Sequence, residues 1–171
     1  MTFSASVKEE LEGSISPARH CQLGELAAMF AFGGEIKYGT EKRLSLHFLA
    51  ENESVARKYF TLLEKTFRIS KVFSIGDVLY RKNNKYVVDI PSEDEAVRIL
   101  QAMKYLSQDR MPITFNGLVN PLIIQKNCCK RAFLRGAFLC AGSISDPEKF
   151  YHFEIVCTSL LKAEQLQETL H

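Results

Sequence analysis

Hydrophobic positions along the chain of 171 residues follow two spacings, and each spacing predicts a different kind of element. Apolar residues three or four positions apart predict helices, and apolar residues that alternate with polar ones predict strands. The predicted helices cover residues 4–11, 17–32, 52–67, 92–106, 127–141 and 159–170. The predicted strands cover residues 35–38, 43–49 and 151–158, together with a hairpin over 71–90 that turns at Asn83 and Asn84. This order of elements predicts a mixed α+β fold.

Two of the predicted helices share a sequence pattern. LAAMFAFGGEI at residues 26–36 returns as LRGAFLCAGSI at residues 134–144, and the same offset of 108 residues pairs Cys21 with Cys129. We therefore predict an αββαββα unit that occurs twice with pseudo-twofold symmetry, its second copy lacking the last hairpin and helix. The predicted organisation is an N-terminal helical arm at 1–16, a first repeat at 17–110, a linker at 111–126 and an incomplete second repeat at 127–171.

The repeated helix is rich in small residues, which is costly because each glycine lowers helix stability by about 1 kcal/mol relative to alanine. Close approach of two helix backbones would compensate for this cost. We therefore expect the two copies to pack side by side through their small residues. The predicted helix-pair interface consists of Ala27, Ala28, Ala31, Gly136, Ala137 and Ala141.

Composition narrows the class of protein. Hydrophobic residues make up 46% of the chain, charged residues make up 25%, and the net charge is +2, as in ordinary soluble proteins. A continuous apolar run of about 18 residues is absent, and acids occupy the N-terminal region where a signal peptide needs apolar residues. The expected location is therefore the cytoplasm, with no membrane partner.

The five cysteines are interpreted as reduced thiols that serve as small buried hydrophobic residues. His20 and Cys21, with Cys128 and Cys129, come near the starts of the two repeated helices, so a zinc site is conceivable from residue type. However, their contiguous spacing is not that of a known ligand pattern. The sequence analysis therefore assigns neither a metal nor a cofactor.

The repeated helices resemble the LAGLIDADG motif of homing endonucleases, whose fold is this αββαββα unit. In that family an acid near each helix end binds the divalent metals that cleave DNA. The resemblance places those acids at Gly33 and Ala141, neither of which can ligate Mg²⁺. Glu35 and Asp146 lie nearby but beyond the helix ends. The expected protein is therefore not an enzyme.

The chain is also similar to the WhiA family, through FSASVKEELEG, LAAMFAFGGEI, YRKNNKYVVDI and above all CCKRAFLRGAFLCAGSISDPEKFYHFEIV. Members of that family are bacterial regulators of sporulation and cell division that join a degenerate LAGLIDADG domain to a C-terminal helix-turn-helix. They are longer than this chain, so we expect the chain to be a fragment. The resemblance implies a double-stranded DNA partner that is bound mainly by the helix-turn-helix, and a nucleoid-associated location.

Strand alternation predicts a second surface for DNA on the side of the sheet that faces away from the helices. The predicted DNA-contacting residues there are Lys37, Arg43, Ser45, His47, Tyr80, Lys82 and Lys85, with Glu35 and Asp89 as the opposing acids. Lysine and arginine would neutralise phosphates, and serine or histidine could reach base edges. A sheet face that is merely solvated remains an alternative interpretation.

Two other function classes stay open. The chain could be a protein-interaction module without a DNA role, or a metal-dependent endonuclease, which Gly33 and Ala141 disfavour. Because the second repeat lacks its hairpin, we expect apolar surface around Phe153, Ile155 and Leu166 to be exposed. Self-association through residues 150–171 is the predicted result.

Overall fold

A computed structural model describes residues 1–113 and 117–171. The α-helices are α1 (Phe3–Glu12), α2 (Arg19–Gly33), α3 (Glu53–Phe67), α4 (Ile75–Val78), α5 (Glu93–Ala102), α6 (Asn127–Ala141) and α7 (Leu160–Thr169). The strands are β1 (Gly34–Tyr38), β2 (Leu44–Ala50), β3 (Leu79–Lys82), β4 (Lys85–Ile90), β5 (Gly142–Ile144) and β6 (Phe153–Ile155). Short 3₁₀ turns occupy Thr40–Lys42, Ile69–Lys71 and Pro121–Ile124. The predicted mixed α+β fold is confirmed.

The first repeat is built on an antiparallel four-stranded sheet with strand order β1-β2-β4-β3. The helices cover one of its faces, because every second residue of the inner strands is apolar. Leu46, Phe48, Val88 and Ile90 are buried beneath the helices. The Phe48 ring stacks on Tyr59 of α3 with 3.9 Å between ring centroids. Among the described residues, no helix packs against the opposite face of the sheet.

The β3–β4 hairpin turns where the sequence predicts. Asn83 and Asn84 have φ values of 53° and 62°, the left-handed region that a two-residue hairpin turn requires. The first arm of the hairpin is shorter than predicted, however. Residues 75–78 form α4, because Ser74 caps that helix and its backbone N–H donates to the Asp77 carboxylate at 2.8 Å. The expectation that the strand begins near residue 71 is therefore wrong.

Two further boundaries differ from the sequence prediction. Helix α5 ends at Ala102 rather than at Leu106, and Lys104 follows in a left-handed conformation with φ of 64°. Its final carbonyls are capped by the next turn, since the Tyr105 N–H donates to the Leu100 carbonyl at 2.9 Å. Strand alternation places Tyr38 on the helix-facing side with Ile36, but Tyr38 is 67% exposed because it ends edge strand β1.

The second repeat is smaller. After α6 comes a two-stranded antiparallel ribbon, β5–β6, and then α7. Phe153 of β6 is exposed as expected, and its ring stacks on Phe138 of α6 with 5.6 Å between centroids. Leu166 was expected to be exposed but is buried, because α7 turns it into the common core.

The N-terminal helix α1 contacts both repeats. Lys58 of α3 donates hydrogen bonds to the Leu11 carbonyl at 2.7 Å and to the Ser14 carbonyl at the end of α1. At the other end of α1, the Ile144 N–H of β5 donates to Ser4 Oγ at 3.3 Å. Helix α1 therefore spans the junction between the two repeats.

Within residues 1–113 and 117–171, we find no helix that combines the length and the apolar character needed to cross a bilayer.

Candidate nucleic-acid interface

The register of the sheet places most of the predicted DNA-contacting residues on one face. Residues directly opposite one another in an antiparallel pair point to the same side. Lys37 pairs with Ser45 across β1 and β2, and Lys82 pairs with Lys85 across β3 and β4. Tyr80 pairs with Val87, and His47 pairs with Asp89. These pairs follow the same alternation, so all of them lie on the face that the helices leave open.

A shallow depression of about 340 Å³ occupies this open face. Lys37, His47, Lys82 and Lys85 line it, together with Asn83, Leu49 and Val87. Three lysines therefore border one concavity. Such a cluster of cations attracts anionic backbone groups.

Arg43 differs from the other predicted residues in its position. It lies one residue before β2, after a turn in which Glu41 and Lys42 have positive φ. Its carbonyl accepts a hydrogen bond from the Gly39 N–H at 2.8 Å, which closes the turn. Arg43 therefore borders the face from a loop.

Asp89 binds two of the predicted DNA-contacting side chains. Its carboxylate pairs with His47 Nδ1 through one oxygen and accepts a hydrogen bond from the Tyr80 hydroxyl at 2.6 Å through the other. This hydrogen bond to a carboxylate raises the pKa of Tyr80. His47 and Tyr80 are thus held in place by a neighbouring acid, a partnership that strand alternation alone did not indicate.

Lys85 has an acidic neighbour as well. Its ammonium lies 3.4 Å from the Glu51 carboxylate, and both side chains are largely exposed. An exposed pair of this kind contributes little to stability, so it leaves the lysine able to meet another anion.

Helices α2 and α6 pack along one seam that only small residues can occupy. A Cβ atom on Gly136 would lie 2.5 Å from the Glu25 carbonyl oxygen and 2.9 Å from the Ala28 Cβ. A Cβ on Gly24 would lie 3.2 Å from the Cys129 carbonyl oxygen. Ala27, Ala28 and Ala137 are fully buried, and Ala31 and Ala141 are half-buried towards the end of the seam. The two backbones are therefore in direct contact at Gly136.

The far ends of these two helices carry no carboxylate. Gly33 is the last residue of α2, and Ala141 is the last residue of α6. A Cβ atom on Gly33 would lie 2.8 Å from the Phe48 ring and 3.0 Å from the Leu49 carbonyl oxygen. An acid at Gly33 would therefore require the neighbouring strand to move.

A buried charged cluster behind the sheet was missed by the sequence analysis. The Glu25 carboxylate of α2 is fully buried, with one oxygen 3.2 Å from Lys58 Nζ and the other 3.1 Å from Arg135 Nε. The buried carboxylate is therefore paired with two cations at once. Burial lowers the pKa of Lys58, and the Glu25 charge opposes that shift. A lone Glu inside an Ala-rich helix was the available sequence signal.

The starts of the two central helices bring together His20, Cys21, Cys128 and Cys129, whose side-chain nitrogen and sulfur atoms all lie within 4.8 Å of one another. Cys21 and Cys129 are buried as expected, but Cys128 is exposed, so its interpretation as a small buried residue is wrong. A hydrogen bond with the Cys21 thiol lowers the pKa of Cys128, and burial raises the pKa of Cys129 to about 11.

Comparison with known proteins agrees with this architecture. Residues 19–106 match the family model of the WhiA N-terminal LAGLIDADG-like domain, and residues 130–171 match that of the WhiA LAGLIDADG-like domain. The chain is 42% identical to the probable cell division protein WhiA of Lachnoclostridium phytofermentans, with 100% of this chain and 55% of that protein covered. The chain belongs to the WhiA family. A second WhiA relative, from Desulforamulus reducens, is 37% identical over 99% of this chain and 52% of its own length.

Solved structures place the WhiA-family chain in the same fold. Full-length DUF199/WhiA from Thermotoga maritima superposes with a TM-score of 0.67 at 22% identity, covering 99% of this chain and 50% of that one. A variant of I-DmoI, solved in complex with its target DNA in the presence of Mn, superposes with a TM-score of 0.54 at 12% identity, covering 90% of this chain and 76% of that one. The predicted LAGLIDADG-like fold is confirmed. The WhiA-family chain spans about half the length of the curated relatives it matches.

Proposed function

We propose that this chain is the non-catalytic LAGLIDADG-like part of a bacterial DNA-binding transcription regulator of cell division and sporulation. It serves as a scaffold whose open sheet face makes auxiliary contacts with double-stranded DNA. Its curated relatives are named as probable cell division proteins, and a fold neighbour was solved with its target DNA. In the intact regulator, sequence-specific binding rests mainly on a helix-turn-helix outside this chain, as the family resemblance implies.

The observation that carries the DNA role is the shared face of Lys37, Lys82 and Lys85. All three lysines border one depression, on the side of the sheet that no helix of residues 1–113 and 117–171 covers. Lysine side chains in such a position neutralise phosphates and release counterions, so binding is sequence-independent and weakens with salt. Ser45 and His47 lie between the lysines, where they could approach base edges once the phosphates fix the duplex.

The non-catalytic part of the proposal rests on the helix ends. Cleavage of DNA by a two-metal mechanism needs carboxylates that hold the ions at the scissile phosphate. The positions that correspond to these acids in LAGLIDADG endonucleases are Gly33 and Ala141, which offer no ligand atom. Incubation of the chain with supercoiled plasmid and Mg²⁺ or Mn²⁺ should leave the plasmid intact, and metal-dependent nicking would overturn this part of the proposal.

The DNA role can be tested by charge reversal. The Lys82→Glu/Lys85→Glu variant should bind a short duplex at least about tenfold more weakly than the unmodified chain, as measured by fluorescence anisotropy. The slope of log K against log salt concentration should also decrease by about 0.9 for each phosphate that the variant no longer neutralises. Lys65→Glu/Lys71→Glu is the matched control, because both lysines are exposed and lie outside the sheet, in α3 and in the 3₁₀ turn that follows it. Equal affinities and a flat salt response in all three proteins would contradict the proposal.

A second candidate function is docking of a protein partner, and one apolar hollow favours it. This hollow has a volume of about 370 Å³ and lies between α1 and the β5–β6 ribbon. Tyr151 and Phe153 line it while being 91% and 61% exposed, and Phe3 and Val7 complete its wall. Exposed aromatic residues beside a hollow are typical of protein interfaces. Two results together would favour this candidate. The DNA assay would show a flat salt response, and the Tyr151→Ser/Phe153→Ser variant would lose its regulatory function in cells.

A further inference from the structure

The His–Cys cluster at the start of α2 and α6 has the arrangement of a metal centre. His20 Nδ1 lies 3.3 Å from Cys129 Sγ, 3.4 Å from Cys21 Sγ and 3.8 Å from Cys128 Sγ. Among the residues that the structure describes, these four side chains form a cluster that could hold a metal ion. Four donor atoms thus surround one small volume between the two helices.

These distances match a tetrahedral zinc ion. Zinc binds sulfur at about 2.3 Å and histidine nitrogen at about 2.0–2.1 Å, so tetrahedral ligands are separated by roughly 3.5 Å for N–S pairs and roughly 3.8 Å for S–S pairs. The three N–S distances in the cluster bracket the first of these values. Three cysteines with one histidine form an established structural zinc set, and four protein ligands leave no open position for a substrate.

The ligands are adjacent in sequence in two pairs, which argued against a metal site in the sequence analysis. This spacing follows from the repeat. His20 and Cys21 are the second and third residues of α2, and Cys128 and Cys129 are the second and third residues of α6. The two dipeptides are 108 residues apart and therefore occupy equivalent positions about the pseudo-twofold axis. Each helix contributes two ligands from its first turn, so the site is assembled from two halves rather than from one loop.

The surroundings suit a metal–thiolate group. Three thiolates and a neutral histidine around Zn²⁺ carry a net charge of −1, which the N-terminal ends of two helices stabilise. Arg19 and Lys126, which lie close before the ligands on each helix, add positive charge. A cavity of about 490 Å³, lined by Arg19, His20, Lys126 and Cys129, connects the cluster to solvent and gives the ion access.

We propose that His20, Cys21, Cys128 and Cys129 bind one structural Zn²⁺ that links the two repeats at the start of their central helices. Binding displaces the thiol protons and changes no oxidation state. The ion lies at the opposite end of α2 and α6 from Gly33 and Ala141, so it holds the helix pair together and has no part in DNA cleavage. A helix of this length separates the two ends by roughly 20 Å.

The test begins with the metal content of the chain purified under reducing conditions. Elemental analysis should find one zinc per chain, and saturating Zn²⁺ added to the chelator-treated protein should raise Tm by at least roughly 5 °C. Co²⁺ in place of zinc should give the visible absorption of tetrahedral thiolate coordination. In the zinc-loaded protein the exposed Cys128 should resist a thiol reagent, and a chelator should make it reactive.

Two variants separate a metal site from a packing role. Cys128→Ser changes an exposed residue, so the chain should still fold, but its zinc affinity should fall at least about 100-fold and its Tm should no longer respond to zinc. Cys157→Ser, a half-buried cysteine outside the cluster, should bind zinc like the unmodified chain. Zinc binding that survives Cys128→Ser would overturn the proposal. A chain that binds no zinc would also overturn the proposal, and so would a chain that binds iron and sulfide instead of zinc.

Discussion

Glu25 of α2 and Lys58 of α3 form an ion pair that solvent does not reach, with 3.2 Å between the carboxylate oxygen and the ammonium nitrogen. Lys58 also holds the end of α1 through the Leu11 and Ser14 carbonyls. One lysine therefore joins three helices around a buried charge. Arg135 of α6 contacts the other Glu25 oxygen at 3.1 Å, so removing Lys58 leaves the buried carboxylate with one cation in place of two, which is still costly.

The Lys58→Met variant tests this arrangement. It keeps the length and apolar character of the side chain but leaves the buried Glu25 carboxylate with Arg135 as its remaining ionic partner, so the free energy of unfolding should decrease by about 3 kcal/mol, the lower end of the range for a broken buried pair. Urea denaturation measures this change. Lys65→Met, at an exposed position on the same helix, is the control and should change stability by less than about 0.5 kcal/mol. Equal stability of the two variants would contradict the buried pair.

Tyr59 has a buried hydroxyl that finds no hydrogen-bond partner among the described residues, and burial raises its pKa. Tyr59→Phe keeps the stack on Phe48 and removes the unsatisfied group, so it should stabilise the chain by about 1 kcal/mol at neutral pH. Above a pH of about 10 the unfolded tyrosine ionises while the folded one stays neutral, so the native chain loses stability with rising pH.

The gain from Tyr59→Phe should therefore grow as the pH rises past about 10. Thermal unfolding at about pH 7 and about pH 10.5, on either side of the ordinary tyrosine pKa, measures the effect. Tyr38→Phe, at an exposed tyrosine, is the control and should show no such growth. A Tyr59→Phe variant that loses stability at both pH values would show that the hydroxyl has a partner.

In the seam between α2 and α6, replacing glycine by alanine should have the opposite of its usual effect on stability. Alanine normally stabilises a helix by about 1 kcal/mol relative to glycine, but a Cβ on Gly136 would lie 2.5 Å from the Glu25 carbonyl oxygen. Gly136→Ala should therefore destabilise the chain by about 1–3 kcal/mol in urea denaturation. At Gly13 the nearest atom to an added Cβ is 3.9 Å away, so Gly13→Ala should be nearly neutral.

Asp89 is the acid at the centre of the proposed DNA-contacting face. Asp89→Asn removes its negative charge and weakens its contacts with His47 and Tyr80, so DNA affinity should rise by about twofold to tenfold at low salt. Asp109→Asn changes an exposed acid outside the sheet and controls for net charge alone. A fall in affinity for Asp89→Asn, with the fold intact, would mean that the Asp89 network positions the contacting side chains.

Exposed apolar residues of the second repeat predict self-association of this chain. Phe153 and Leu160 are 61% and 73% exposed, and Phe150 and Tyr151 are exposed as well. Sedimentation over a range of concentrations should show dimers or larger species. The Phe153→Ser/Leu160→Ser variant should remain monomeric. A monomeric unmodified chain at high concentration would contradict the prediction.

Elements with a clear period were predictable from the sequence, and so was their arrangement. The repeat at one offset predicted that α2 and α6 are equivalent, and alternation predicted which side of the sheet Lys37, Lys82 and Lys85 occupy. The Asn83–Asn84 turn was predictable because few residues adopt positive φ at low cost.

Features that depend on distant partners were not predictable in this way. Alternation over residues 71–78 indicated a strand, and the local capping by Ser74 and Asp77 overrode it. The partnership of Glu25 with Lys58 and Arg135 depends on the angles at which three helices pack, which no local pattern specifies. The His–Cys cluster was set aside because ligand spacing within one segment was expected, whereas its four members come from two helices.

The bond from the Ile144 N–H to Ser4 has a consequence for synthesis on the ribosome, since its two residues are 140 positions apart. At roughly 5–20 residues per second, Ser4 is made about 7 to 28 s before its partner. During that interval α1 can pack against α3 through Lys58, but its other end has not yet formed its contact with β5. Helix α1 is thus synthesised before α2 to α7 but is among the last of these helices to be fully docked, and a nascent chain paused before residue 144 would present that flank to chaperones.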